Sequence, residues 1–218
     1  MKKILAMIMA MVLCLGLVSC GGDGNSSEIK NLKITDNGYC LNDGYLYYMA
    51  TVENPNAEKV AELPTVRITA KDSEGNVIST SDGGFMEIYP KSQATTTGMI
   101  EVSAEPSSVD FEVLTDNYTW INLNEATYAE TPNLKAENYN LTVDDLGFAS
   151  VSGNIVNGNS NEYDTVQVSI VCKDDNNNVI ACENTYINHV AANGNTPFTL
   201  DMLTTNHSNN YQIYVIPW

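Results

Sequence analysis

The stretch Val66-Arg-Ile-Thr-Ala-Lys-Asp-Ser-Glu-Gly-Asn-Val-Ile-Ser-Thr80 occurs twice, in related form, in this chain of 218 residues. Its second copy, Val168-Ser-Ile-Val-Cys-Lys-Asp-Asp-Asn-Asn-Asn-Val-Ile-Ala-Cys182, follows 102 residues later without a gap. In both copies, apolar and polar residues alternate around a polar centre, which is the pattern of two half-buried strands joined by a tight turn. The repeat therefore predicts a β-hairpin in each half of the chain.

The repeat extends beyond the hairpin. Gly44-Tyr-Leu-Tyr-Tyr-Met-Ala-Thr-Val-Glu-Asn-Pro-Asn56 aligns with residues 147–159 at an offset of 103, and Phe111-Glu-Val aligns with Tyr211-Gln-Ile at an offset of 100. The shared order of elements indicates two tandem copies of one domain. No segment keeps helical periodicity over three turns, so we expect an all-β protein. Its two tandem immunoglobulin-like β-sandwich domains would cover residues 31–121 and 133–218, with a polar linker at 122–132.

The turn chemistry of the hairpin predicts which side chains face the core. We expect Gly75, and Asn177 in the second copy, to adopt the left-handed conformation. With Asp72 opposite Asn76, one set of residues points inward: Val66, Ile68, Ala70 and Ile78 in the first copy, and Val168, Ile170, Cys172, Ile180 and Cys182 in the second. Arg67, Thr69 and Lys71 would point outward. Cys172 and Cys182 would then be diagonal neighbours at ~7 Å or more, which is long for a disulfide, and Cys40 has no partner.

The N-terminal residues have the features of a secretory signal. Lys2 and Lys3 precede the uncharged residues 4–18, a run too short to span a bilayer comfortably. Leu17-Val18-Ser19-Cys20, followed by two glycines, is similar to a bacterial lipobox, which implies a lipoprotein signal peptide at 1–19 and lipidation of Cys20. An ordinary signal peptide or a short membrane helix are the alternatives. Residues 20–30 have the composition of a flexible linker.

The acidic composition limits the partners. The chain has 27 acidic and 10 basic residues and a net charge of −17, which excludes a phosphate-binding surface for nucleic acid. The same charge repels anionic lipid headgroups, so a lipid anchor on Cys20, rather than a basic patch, would attach the protein to the membrane. We therefore expect a protein on the extracytoplasmic face of a membrane of the bacterial cell envelope, with a protein or a glycan as its further partner.

The repeated segments resemble the FxLYD domain, an immunoglobulin-like module of bacterial surface lipoproteins. The resemblance rests on the hairpin with its preceding strand, on Val52-Glu-Asn-Pro-Asn56 and on Tyr89-Pro-Lys-Ser-Gln-Ala-Thr-Thr-Thr97. At the signature position the chain has Ile68-Thr-Ala-Lys-Asp72 and Ile170-Val-Cys-Lys-Asp174, which keep the branched residue and the Asp but not the Phe, Leu and Tyr. The resemblance implies an extracytoplasmic β-sandwich and carries no catalytic or binding residue with it.

Few residues are candidates for catalysis or metal binding. Neither His189 nor His207 lies in a motif for a nucleophile or a metal pair. Residues 174–178 (DDNNN) supply oxygen atoms that calcium could use, but residues 72–76 form a plain turn at the same place, and the EF-hand Glu and Gly are missing. The cysteines and histidines show no zinc spacing. We therefore expect a non-enzymatic protein with no catalytic residue, cofactor or metal.

Aromatic residues leave one further hypothesis open. Some of the aromatic residues could form an exposed platform that stacks on sugar rings. The notable candidates are Tyr45, Tyr47, Tyr48, Trp120 and Trp218. By analogy with Phe148, Tyr45 is expected in the core, and Tyr48 is the candidate for exposure. The main hypothesis is an envelope spacer or protein-interaction module, and the alternative is a glycan- or small-molecule-binding lipoprotein. Because the linker offers no apolar seam, we expect the two domains to fold separately.

Overall fold

The computed structural model describes residues 28–218; the predicted signal peptide and Cys20 lie outside this range. The first half contains the strands β1 (Lys33–Asn42), β2 (Tyr45–Glu53), β3 (Lys59–Glu62), β4 (Thr65–Lys71), β5 (Val77–Gly84), β6 (Glu87–Ile88), β7 (Gln93–Glu101), β8 (Ser108–Val113) and β9 (Thr119–Asn122). A short 3-10 helix, Leu123–Glu125, follows. The second half contains β10 (Leu134–Val143), β11 (Ala149–Asn157), β12 (Tyr163–Lys173), β13 (Val179–Val190), β14 (Asn195–Asp201) and β15 (Tyr211–Pro217). Within residues 28–218, no helix is long and apolar enough to cross a bilayer.

Each half is a sandwich of antiparallel sheets. In the first half, the sheet β1-β2-β7 packs on the sheet β5-β4-β8; in the second half, β10-β11-β14 packs on β13-β12-β15. The two strand orders correspond one to one, so the sequence repeat is also a repeat of topology. The all-β, sandwich-like fold predicted from the sequence is confirmed.

The two copies differ in the continuity of their second sheet. In the first copy, Leu63 has a positive φ of 55°, and Pro64, which has no N–H to donate, separates β3 from β4. The strands β6, β3 and β9 therefore form a small sheet of their own. In the second copy, β12 runs without interruption through the equivalent positions.

The cores contain most of the residues predicted to point inward. Core 1 is formed by side chains of β2 and β4, among others Leu46, Tyr48, Ala50, Val52, Val66, Ile68 and Ala70. Core 2 is formed in the same way by β11 and β12, among others Val151, Ile155, Val166, Val168, Ile170 and Cys172. The inward assignment of alternate residues on β4 and β12 is therefore confirmed.

The second strand of each hairpin departs from the predicted register. Gly75 and Asn177 have positive φ angles of 85° and 67°, as expected, but a bulge next to the turn shifts the pairing by one residue. Ala70 consequently pairs with Ser79, and Val171 pairs with Cys182. Because a one-residue shift reverses the faces of a strand, Cys182 lies on the outer face of its sheet, and its predicted inward position is wrong. Ile78 in the first copy and Ile180 at the same position in the second copy are half-buried at the margins of their cores.

The two sandwiches pack on each other through an apolar contact that we call the seam. It joins the outer face of the sheet β1-β2-β7 to the outer face of β13-β12-β15 and contains the buried residues Tyr47, Met49, Val171, Val179 and Cys182. β2 is therefore buried on both faces, as its nearly unbroken apolar run would allow. The linker is indeed polar, but an apolar connection between the halves lies elsewhere, on the strands themselves.

Polar contacts cross the seam at its margins. Ser169 accepts a hydrogen bond from Thr97 of β7 (3.2 Å), and the Lys173 ammonium contacts the Asp36 carboxylate of β1 at 2.9 Å. Between these two residues of β12, Val171 packs on β2. From Ser169 to Lys173, about 13 Å of chain, β12 thus passes over β7, β2 and β1, which are spaced ~4.8 Å apart. The strands of the two facing sheets therefore cross at a steep angle.

Candidate functional site

Two equivalent asparagines fix the points where the chain enters each sandwich. The side chain of Asn56 accepts a hydrogen bond from the Lys30 amide (2.8 Å) and donates one to the Lys30 carbonyl (2.8 Å). In the second copy, Asn159 accepts from the Asn133 amide (2.6 Å) and donates to the carbonyl of Thr131 (3.0 Å). The N-terminal segment therefore meets the first sandwich at the end of β2 that lies opposite the β1–β2 turn. β2 has nine residues, so its two ends are about 26 Å apart.

The segment between the sandwiches is packed against both of them. The buried carboxylate of Glu87 accepts hydrogen bonds from the amide of Thr127 (2.7 Å) and from the hydroxyl of Tyr89 (2.6 Å). The next residue, Tyr128, packs on Tyr163 of β12 with ring centroids 4.2 Å apart and planes tilted by 50°. Burial and the Glu87 carboxylate raise the pKa of Tyr89, so its hydroxyl stays protonated as a donor. These contacts and the seam hold the two sandwiches together at two separate places.

Each histidine contacts an oxygen atom, and Cys40 is a half-buried free thiol. His189 contacts Glu162 (3.3 Å), and the ring of His207 contacts the carbonyl of Thr205 (2.9 Å). His207 and Cys40 line one cavity of about 350 Å³. Burial, reinforced by the Glu183 carboxylate, raises the pKa of the Cys40 thiol to about 12. A thiol with that pKa is protonated at neutral pH and is a poor nucleophile.

The loop at residues 174–178 uses its leading carboxylate to hold its own turn. Asp174 accepts hydrogen bonds from the amides of Asn176 (2.9 Å) and Asn178 (2.8 Å). Asp72 makes the matching bonds in the first copy. The pKa of each aspartate is lowered, chiefly by a hydrogen bond from the side-chain amide of the last turn residue. That residue is Asn76 for Asp72 and Asn178 for Asp174. Across residues 28–218, no three His, Cys, Asp or Glu side chains are grouped so that they could hold a metal ion.

The aromatic residues named from the sequence do not form one platform. Tyr48 is buried in core 1 and Tyr47 in the seam, whereas Tyr45, at the start of β2, is exposed. The predictions for Tyr45 and Tyr48 are therefore wrong, because the face shared by Tyr45 and Tyr47 is the outer face of its own sheet. Trp120 is half-buried and makes an edge contact with Tyr118 at a centroid distance of 5.3 Å.

Trp218 forms an exposed pair with a residue that the sequence did not single out, Tyr186. The ring centroids are 5.2 Å apart and the planes are tilted by 54°. Gln167, which is buried, donates a hydrogen bond to the Tyr186 hydroxyl (3.1 Å), and its own amide oxygen has no hydrogen-bond partner among residues 28–218. The Trp218 amide donates to the carbonyl of Thr165 (2.9 Å). The alternation of residues along β13 was the signal that could have identified Tyr186.

A second exposed apolar group lies at the end of the second sandwich. Leu146, Phe148 and Leu203 are 78%, 41% and 61% exposed. They lie in the β10–β11 turn, just before β11 and just after β14, and we call them the apolar tip. Comparison of the two copies could have found this group, because charged residues occupy two of the equivalent positions in the first copy.

No protein-family model matches the chain, and no curated protein matches it significantly. Its function must therefore be inferred from its surfaces.

Proposed function

We propose that this chain is a non-enzymatic, lipid-anchored protein of the bacterial cell envelope that serves as a spacer or a protein-interaction module. The observation that carries the proposal is the attachment of Lys30 to Asn56 at one end of β2. An acyl group on Cys20 would be joined to this end by only ten residues. The opposite end of the first sandwich, with the β1–β2 turn, would then face away from the membrane.

The chemistry of the described side chains supports binding over catalysis. The Cys40 thiol is held in its protonated form, and the leading aspartates of both hairpin turns are engaged by the donors of their own turns. The two sandwiches are fixed to each other by the seam and by the contacts of Glu87, so the surfaces they present have a defined relative placement. A rigid display of this kind suits recognition, because little conformational freedom is lost when a partner binds.

Metabolic labelling with a palmitate analogue tests the anchor. We expect label on the wild-type protein, no label on Cys20→Ala, and full label on the matched control Cys14→Ala, which removes the other cysteine of the N-terminal segment. Label that survives in Cys20→Ala would contradict the proposed anchor. Loss of label in Cys14→Ala alone would show that the modified residue had been misassigned.

A second candidate function, glycan binding, is favoured by the exposed pair Tyr186–Trp218. Two aromatic rings fixed at an angle can stack on the apolar faces of a sugar chain. Titration with cellohexaose, followed by tryptophan fluorescence, tests it. Under this hypothesis the signal saturates in the wild type and in Trp120→Phe but is lost in Trp218→Ala. If the wild-type protein gives no saturable signal, it does not bind cellohexaose at this pair.

A further inference from the structure

The apolar tip is built on one end of the outer sheet of the second sandwich. The Met202 amide donates a hydrogen bond to the Ala149 carbonyl (2.9 Å), which extends the β11–β14 ladder by one step and places Phe148 opposite Leu203. Ala149 and Met202 point into core 2, so the side chains of Phe148 and Leu203 stand on the outer face. Opposed side chains on one face of a sheet lie about 5 Å apart and form one surface.

The first copy shows that the fold does not require apolar residues at these positions. Tyr45 pairs with Glu101 at the equivalent place in the β2–β7 ladder, and Asp43 lies in the turn before it. Leu203 is therefore the counterpart of Glu101, and Leu146 is the counterpart of Asp43. Two acidic positions of one copy are leucines in the other, and both leucines are more than half exposed. This substitution of solvent-facing acids by leucine has no packing reason within the described chain.

The tip is also held in one conformation. The Asp144 carboxylate accepts hydrogen bonds from the amides of Leu146 (2.9 Å) and Phe148 (2.9 Å), and Gly147 supplies the positive φ of 90° that closes the turn. On the other side, the Glu183 carboxylate accepts a hydrogen bond from the Leu203 amide (3.3 Å). An apolar surface that is already ordered loses little entropy on binding.

The charges around the tip indicate what it binds. Asp144 and Glu183 accept hydrogen bonds from amides of the tip, and Asp145 and Asp201 lie within two residues of its leucines. The chain as a whole carries a net charge of −17. An acidic rim repels a second copy of this chain and an anionic lipid surface alike. The complementary surface has the opposite charge and an apolar centre.

We propose that the apolar tip binds an apolar surface of a partner protein whose rim is basic. This inference rests on the proposed role as an interaction module and adds the position of the contact and the chemistry of the partner. The tip lies at the opposite end of β11 from Asn159, the residue that holds the linker, so the second sandwich presents it at its free end.

A basic amphipathic peptide of leucine and lysine serves as the probe, and isothermal titration with the full chain gives its affinity. The decisive variant is Leu146→Asp/Leu203→Glu, which installs the residues of the first copy and is therefore compatible with the fold. Attraction by charge alone would make this more acidic variant bind the peptide more tightly. We expect the opposite, a loss of affinity of about tenfold or more, because the apolar contact is removed. Leu63→Asp, which adds an acid at another exposed leucine, is the matched control and should bind as tightly as the wild type.

Unchanged or tighter binding by the double variant would overturn the proposal. Raising the salt concentration from about 0.05 M to about 0.5 M should weaken wild-type binding, and insensitivity to salt would overturn the role of the acidic rim. If sedimentation shows that the wild type forms dimers and the double variant does not, the tip mediates self-association instead. Tip-dependent binding to phosphatidylglycerol vesicles would assign it to lipid. Acyl labelling of Cys20 is unaffected by these variants, so failure here is distinct from failure of the anchor.

Discussion

Met49 offers a direct test of whether the seam joins the two sandwiches into one unit. Its side chain is fully buried on β2 and belongs to the seam, whereas its neighbours Tyr48 and Ala50 belong to core 1. Replacing a buried Met by Ala typically lowers the free energy of unfolding by about 2–5 kcal/mol. Met99→Ala is the control, since this methionine of β7 is half-exposed, and we expect a change within about 0.5 kcal/mol.

The location of the effect matters more than its size. Met49 belongs to the first sandwich, but Val171, Val179 and Cys182, which share its cluster, belong to the second. If the seam couples the halves, Met49→Ala should accelerate hydrogen exchange in β12 as well as in β2. A loss of about 2 kcal/mol corresponds to about 30-fold faster exchange where opening is global. Unchanged exchange of the β12 amides, together with a destabilised first sandwich, would refute the coupling and restore the expectation of independently folding domains.

Other perturbations probe single contacts. Ile170→Ala should lower the free energy of unfolding by about 2–5 kcal/mol in denaturant titration, whereas Arg67→Ala should leave it nearly unchanged, because Arg67 makes an exposed ion pair. Gly38→Ala would place a Cβ 2.5 Å from Val179 in the seam; we expect a fall in melting temperature that Val179→Ala partly restores. The lowered pKa of Asp174 means that its stabilising charge is present above about pH 4 and lost as the pH falls through its folded pKa. The stability difference between wild type and Asp174→Asn should therefore narrow as denaturant titrations move from about pH 5 to about pH 2, and a constant difference would show that the charge plays no part.

The sequence predicted the sandwiches because their signals are local. Alternation on β4 and β12 identified the inward residues, and the turn residues Gly75 and Asn177 adopt the conformation that their types favour. The bulge next to each turn could not be predicted, since it inserts one residue without a distinctive residue type. That single residue moved Cys182 from the predicted core to the seam.

The surfaces were harder to predict than the cores. The sequence analysis considered each sandwich as isolated, so it expected one face of β2 in the core and the other in solvent. Tyr47 and Met49 are instead buried on the outer face, in the seam. Contact between two sheets depends on their relative placement, which no periodicity within one strand encodes. The apolar tip, in contrast, is visible in the aligned copies, where Leu146 and Leu203 stand at the positions of Asp43 and Glu101.

The seam joins unlike surfaces, and this has a consequence for growth by duplication. One copy contributes its β1-β2-β7 sheet and the other its β13-β12-β15 sheet, the counterpart of β5-β4-β8. A head-to-tail contact of this kind leaves one unused face of each type and can in principle be repeated without limit. Away from the apolar tip, the unused faces carry polar pairs: Arg67 and Lys71 pair with acids on one, and Ser152 bonds Thr199 on the other. As in the capping units of solenoid proteins, polar pairs on these faces disfavour stacking of further copies by the same contact.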